Sequence, residues 1–131
     1  PVAAAMPTLS WLRKEGRIGQ WGEQVAAVYL LERGYKILSM NVHCAPYGEI
    51  DIIAEKDGII IFVEVKIYSK KQLGTPAQNI DQNKLKKLEA AINKYTVDMQ
   101  VEKDISLDVI CVYLQPSAPK FKHFKGIRLD A

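Results

Sequence analysis

The stretch from Gly48 to Lys66, GEIDIIAEKDGIIIFVEVK, constrains this chain more than any other. Two runs rich in isoleucine and valine flank Asp57-Gly58, a dipeptide suited to the positive φ angles of a two-residue hairpin turn. With Asp57 and Gly58 as the loop, antiparallel pairing sets Lys56 opposite Ile59, Ile53 opposite Phe62, Asp51 opposite Glu64 and Glu49 opposite Lys66. Side chains alternate along a strand. One face of the ribbon therefore carries Ile50, Ile52, Ala54, Ile61, Val63, Val65 and Ile67 and is expected to be core, while Glu49, Asp51, Glu64 and Lys66 share the other.

Directly opposed residues hold their Cβ atoms about 4.5 to 5.5 Å apart, and like charges in that relation are destabilising. Asp51 facing Glu64 inside an apolar hairpin calls for compensation, which a divalent cation would supply. Mg²⁺ takes one or two carboxylates, keeps several waters and binds phosphate through its remaining positions. Lys66, on the same face, would add a positive charge able to orient a nucleophile or offset developing charge. The plainer alternative is a solvated strand face of ion pairs, such as Glu49 with Lys66. Charges set between Phe62 and a run of isoleucines are poorly placed for solvation.

Asp51 in EIDIIA, followed after the turn by Glu64-Val65-Lys66 in FVEVK, resembles the PD-(D/E)XK nuclease motif. Over about residues 16 to 113 the chain resembles the small bacterial family named YraN, through Gly19, Gly22, Glu23, Gly34-Tyr35, Asn41, Gly48 to Asp51, Phe62 to Lys66, Gly74, Pro76 and Lys84. The resemblance implies a restriction-endonuclease-like α/β core, with a mixed central sheet flanked by helices in the order α-β-β-β-α-β. It also implies an endonuclease that hydrolyses DNA phosphodiester bonds with Mg²⁺, or Mn²⁺ as substitute. Asp51, Glu64 and Lys66 would be catalytic, Asp51 and Glu64 would hold the metal, and Glu23 and Glu49 would be accessory metal-site acids. Archaeal junction resolvases share this motif order and act as dimers, which makes branched DNA the narrower substrate expectation and a homodimer the expected assembly. The chain departs from the family pattern at Tyr68, where arginine is usual, and at Ser106-Leu107, where arginine and phenylalanine are usual.

The rest of the chain reads as support for that hairpin. A chain of 131 residues is one domain's worth. Residues 1–15 read as an N-terminal extension, with Pro1 to Ala5 ahead of Met6 as a cloning remnant, and 16–131 as a single nuclease-like domain. Helical periodicity runs from Ile18 to Arg33 and stops at Gly34; Tyr35 to Val42 reads as a strand, with Asn41 either its terminator, the favoured reading, or a residue that touches a ligand. The helical period returns from Pro76 or Ala77 to Tyr95, with Leu85, Leu88, Ile92 and Tyr95 on one face. Ile105 to Leu114 reads as a buried central strand, with Asp108 either a hydrogen-bonding residue at its entrance or a partner to the metal ligands. Phe121 to Leu129 reads as a short edge strand.

A net charge of +3 is too small to mark a nucleic-acid binder by itself, so placement matters more. Lys70 and Lys71 in the loop after Lys66 are candidates to clamp a phosphate backbone, and Lys84 and Lys87 form a helical stripe suited to the same work. Trp11, Leu12 and Trp21 would pack on the domain or make a dimer contact. Cys44 and Cys111 form no CxxC, and with His43 and His123 as the only histidines a zinc site is not expected. Unpaired thiols suit a reducing cytoplasm, and no apolar run approaches the roughly 20 residues of a membrane helix. The sequence holds neither a glycine-rich phosphate loop nor a Ser/His/Asp arrangement, so nucleotide hydrolysis and acyl transfer gain no support. The reading from another class is a catalytically silent module that grips nucleic acid or a protein on a nuclease-like fold.

Overall fold

The computed structural model of the chain describes residues 16–68 and 81–128. Lys70, Lys71, Trp11 and Leu12 lie outside these residues. The elements run α1 (Ile18–Glu32), β1 (Lys36–His43), β2 (Glu49–Lys56), β3 (Ile59–Tyr68), α2 (Gln82–Asp98), β4 (Asp104–Tyr113) and β5 (Lys120–Phe124). The five strands lie in sequence order in one sheet. All neighbours are antiparallel except β3 and β4, which are parallel and joined through α2, as a parallel pair requires a long crossover. The mixed sheet flanked by helices is the architecture expected from the sequence, and the edge strand expected over Phe121 to Leu129 is β5, which spans Lys120–Phe124.

Local chemistry accounts for the boundaries. Asp57 at φ +52 and Gly58 at φ +78 make the two-residue turn, so Lys56 pairs with Ile59 and Ile53 with Phe62 as the sequence requires. Gly34, at φ +88, ends α1, where a left-handed residue lets the chain leave the helix. Asp81 caps α2 by accepting the amide hydrogen of Asn83 at 2.9 Å. That cap starts the helix at Gln82; positions 76–80 of the expected helix fall outside the described residues.

Helices cover both sheet faces, which corrects the expectation of a single core face on the hairpin. On one side Ala26, Ala27 and Leu30 of α1 pack on Ile52, Ala54, Ile61, Val63, Ile110 and Val112. On the other, Leu88, Ala91 and Ile92 of α2 pack on Ile50, Ile53, Ile60 and Phe62. A strand between two helical layers is apolar on both sides, so the charged residues of β2 and β3 lie toward their ends, Glu55 and Lys56 beside the turn and Glu49, Asp51, Glu64 and Lys66 away from it.

At that end the alternation breaks. Ile50 and Ile52, two residues apart, pack in different clusters, as do Val42 and Met40 of the neighbouring strand. Asn41 lies between the latter pair at φ +52. It was expected to terminate β1, but the strand continues through it to His43 and bends there.

The α1 side also holds a buried charged network. Asp108, 2% exposed, pairs with His123 Nε2 at 2.7 Å and accepts from the Ser106 hydroxyl at 2.8 Å and the Gly126 amide at 3.1 Å. Tyr29 Oη lies 3.5 Å from His123 Nδ1, and its ring centroid is 4.8 Å from that of Phe121. This network fastens β5 to β4 and α1, in keeping with Asp108 as a hydrogen-bonding residue. Burial opposes its charge, but the bonds from His123, Gly126 and Ser106 outweigh burial and hold its pKa below the ordinary 3.8. The native state thus binds this proton less readily than the unfolded chain. The stabilisation is present above pH 3.8 and is lost as pH falls through the lowered native value. Asp108→Ala, which strands His123, should cost about 3 kcal/mol at neutral pH by urea titration. It should also flatten the acid limb of the stability profile.

Candidate active site

The site forms where β2 parts from β3. Paired residues run from Lys56–Ile59 only to Ile52–Val63. Beyond them the Asp51 carboxylate, not a β2 carbonyl, accepts the Val65 amide hydrogen, at 2.8 Å. The ladder therefore does not continue to the Asp51–Glu64 and Glu49–Lys66 pairs expected from the sequence. A carboxylate has been inserted into the gap.

Three elements bring acids to this gap. Glu23 comes from the first turns of α1, which sits close on β3: a Cβ at Gly22 would lie 2.2 Å from Ile67 Cδ1. Glu49 opens β2, 3.4 Å from His43 Nδ1. Carboxylate oxygens of Glu23, Glu49 and Asp51 lie within 4.8 Å of one another. Asn41 Nδ2 donates to Glu23 Oε1 at 2.6 Å and Glu49 Oε1 at 3.0 Å, so the bend in β1 aims one amide at both glutamates. Sequence reasoning missed this role for Asn41. A polar residue inside a strand, spaced between apolar neighbours, was the only local signal.

Glu64 completes the set from β3. It is 3% exposed, 2.8 Å from Lys84 Nζ on α2 and 3.8 Å from Lys66 Nζ. Burial, and then the negative charge of Glu64, push the Asp51 pKa up to about 8, although the Val65 amide pulls it down. Lys66 is held below the usual lysine range by burial and by the neighbouring Lys84 ammonium; Lys84 is raised chiefly by its bond to Glu64. A pocket of about 490 Å³ opens over Glu49, Asp51, Glu64 and Lys84, with Lys87 on its wall.

Asp51, Glu64 and Lys66 thus stand together, with Glu23 and Glu49 beside Asp51. Lys84 touches the acid centre directly. The donors are carboxylate oxygens alone, the ligand chemistry of a hard divalent cation. A close set of anions with one pKa raised by its neighbours is what such a cation would relieve. Glu23, Glu49 and Asp51 form the cluster that could hold it; Glu64, paired with Lys84, is not one of that close group.

The Asp51 shift has a sign opposite to that of Asp108. A raised native pKa gives stability that is present below 3.8 and lost as pH rises through about 8. In chelator at pH 8, Asp51→Asn should therefore be more stable than wild type, on the order of 1 kcal/mol. Saturating Mg²⁺ should narrow or reverse that difference. Urea unfolding at pH 5 and pH 8 checks both statements.

Residues 22–112 match the model of the family described as "Uncharacterised protein family UPF0102". The chain is 37% identical over 107 residues to a UPF0102 protein of Syntrophomonas wolfei, covering 81% of this chain and 92% of the relative. It is 34% identical over 108 residues to one of Flavobacterium psychrophilum, covering 82% and 90%. It is 40% identical over 99 residues to one of Campylobacter fetus, covering 76% and 86%. The matched span contains Glu23, Asn41, Glu49, Asp51, Glu64, Lys66 and Lys84. Among the described residues, no helix is long and apolar enough to cross a membrane. The chain belongs to the UPF0102 family, the YraN family of the PD-(D/E)XK superfamily.

Proposed function

We propose that this protein is a metal-dependent endonuclease that hydrolyses DNA phosphodiester bonds. The observation that carries the reading is the meeting of Glu49, Asp51 and Glu64 with the Lys84 ammonium at one open pocket, with Glu23 beside Glu49 and Asp51 and the Lys66 ammonium 3.8 Å from Glu64. Bound among the carboxylates, Mg²⁺ or Mn²⁺ would supply positive charge against the scissile phosphate and its attacking water. Asn41 holds Glu23 and Glu49 in one orientation, so less must be ordered when the ion arrives. Lys66, with its lowered pKa, is suited to exchange a proton with the water. In the reaction the water oxygen bonds to phosphorus, the P–O ester bond breaks, and the departing alkoxide takes up a proton. Lys84 and Lys87, with Lys70 and Lys71 shortly after β3 in the sequence, would hold the DNA backbone by charge. A homodimer acting on branched DNA is the narrower form of this proposal.

One observation favours a second reading, a binding module without cleavage. Glu64 is already neutralised by Lys84 at 2.8 Å, the state of an acid serving as an ion-pair partner. Plasmid and branched DNA incubated with Mg²⁺ or Mn²⁺ separate the two. The nuclease reading expects cleavage by wild type, and a loss of at least about 100-fold in Asp51→Ala and Lys66→Ala. Calorimetric titration with Mn²⁺ should show uptake weakened about 10- to 100-fold in Asn41→Ala and at least as much in Glu64→Ala. No cleavage of any of these substrates, with DNA binding intact, would leave the module; Mn²⁺ uptake unchanged in Glu64→Ala would remove Glu64 from the metal site.

A further inference from the structure

Resting on the nuclease reading, we infer that Tyr68 is a stacking platform for an unpaired base and that the substrate is nucleic acid single-stranded on this side of the cut. Glu64, Lys66 and Tyr68 alternate along β3 and so share a face, and four residues of strand put Tyr68 about 13 Å from Glu64. That distance is about four nucleotides at the 3.4 Å rise of a stacked strand, and fewer when the strand is extended.

Tyr68 pairs in register with Tyr113 of β4, and the two rings stack with centroids 5.2 Å apart and planes 19° from parallel. Tyr113 is 2% exposed whereas Tyr68 is half-buried, so Tyr68 is the ring of the pair that solvent reaches. Cys111 is buried in the same packed cluster as both rings. Lys66, Cys111 and Lys122 form one row across β3, β4 and β5, and Tyr68, Tyr113 and Lys120 form the next. Lys122 Nζ lies 5.6 Å from the Tyr113 ring centroid.

This is an aromatic surface flanked by ammonium groups, beginning at the acids. Such a combination suits a single strand, because lysines track the backbone while a ring accepts the face of any base. In a duplex both faces of each base are covered by its neighbours, so the ring gains nothing there. The preference therefore falls on single strands, flaps or splayed arms.

The test reads binding in chelator, where no cleavage occurs, by fluorescence anisotropy with a single-stranded oligonucleotide, a flap and a blunt duplex. A 2-aminopurine in the unpaired stretch reports stacking. Tyr68→Ala and Tyr68→Leu should bind the single strand and the flap roughly 5- to 100-fold more weakly. Both should leave duplex binding unchanged and abolish the fluorescence quench. Tyr68→Phe, which keeps the ring, should match wild type, so a folding defect is distinguished from a lost stack. Equal affinity of all four proteins for the single strand, a parallel loss on duplex, or no binding of unpaired DNA by wild type would overturn the inference. Tyr68-dependent binding without cleavage in Mg²⁺ would keep this platform and remove the nuclease. Cleavage that is indifferent to Tyr68→Ala and Tyr68→Leu would do the reverse.

Discussion

The Asp51 carboxylate accepts the amide hydrogen of Val65 at 2.8 Å, standing where a carbonyl of β2 would stand had the ladder continued. A buried amide left without an acceptor is costly, so the strands can separate here only because this side chain replaces the missing backbone group. Separation makes room for the other acids. Glu23 enters from α1, Glu49 from the start of β2, and Glu64 stays with Asp51 across the gap. The bend of β1 at Asn41 follows the same logic, since its amide bonds both glutamates. The backbone irregularity and the concentration of negative charge are thus two sides of one arrangement.

Two aspartates show how one side chain serves opposite ends according to its partners. Asp108 is surrounded by donors, and its charged form is the stable one; it holds the edge strand to the fold. Asp51 has one amide donor and a carboxyl neighbour, and its charged form is disfavoured. Burial acts against charge in both. The difference lies in donor count and in the sign of the nearest charge. If a cation binds here, an arrangement that disfavours the Asp51 charge without it would make folding and ion uptake linked equilibria.

Lysines give the site its other half. Lys84 reaches Glu64 from α2, and Lys66 reaches it from the same strand. With no other cation they share the charge of Glu64. Each lowers the local field that an ion would otherwise face alone, and each is a group that a phosphate could draw away. Glu64 is thus positioned between its ammonium partners and Asp51, and phosphate binding would shift that balance.

Much of this was open to reading along the chain. The turn at Asp57-Gly58, the stop at Gly34, the apolar spacing of α1 and α2 and the pairing of Ile53 with Phe62 all depend on neighbours a few residues apart, where turn chemistry and side-chain period decide the outcome. The mixed sheet followed from the order of those elements. Contacts set by where separate elements cross were not open to it. Asn41 joining Glu23 to Glu49, Lys84 reaching Glu64, the stack of Tyr68 on Tyr113 and the pairing of Asp108 with His123 each link distant parts of the chain. The sequence alone determined that Asp51, Glu64 and Lys66 gather at one end of the hairpin, because a period of two is a local property. The tertiary structure decided that the hairpin opens at Asp51 and what fills the opening, because a broken ladder is stable only when side chains from other elements satisfy the groups it releases.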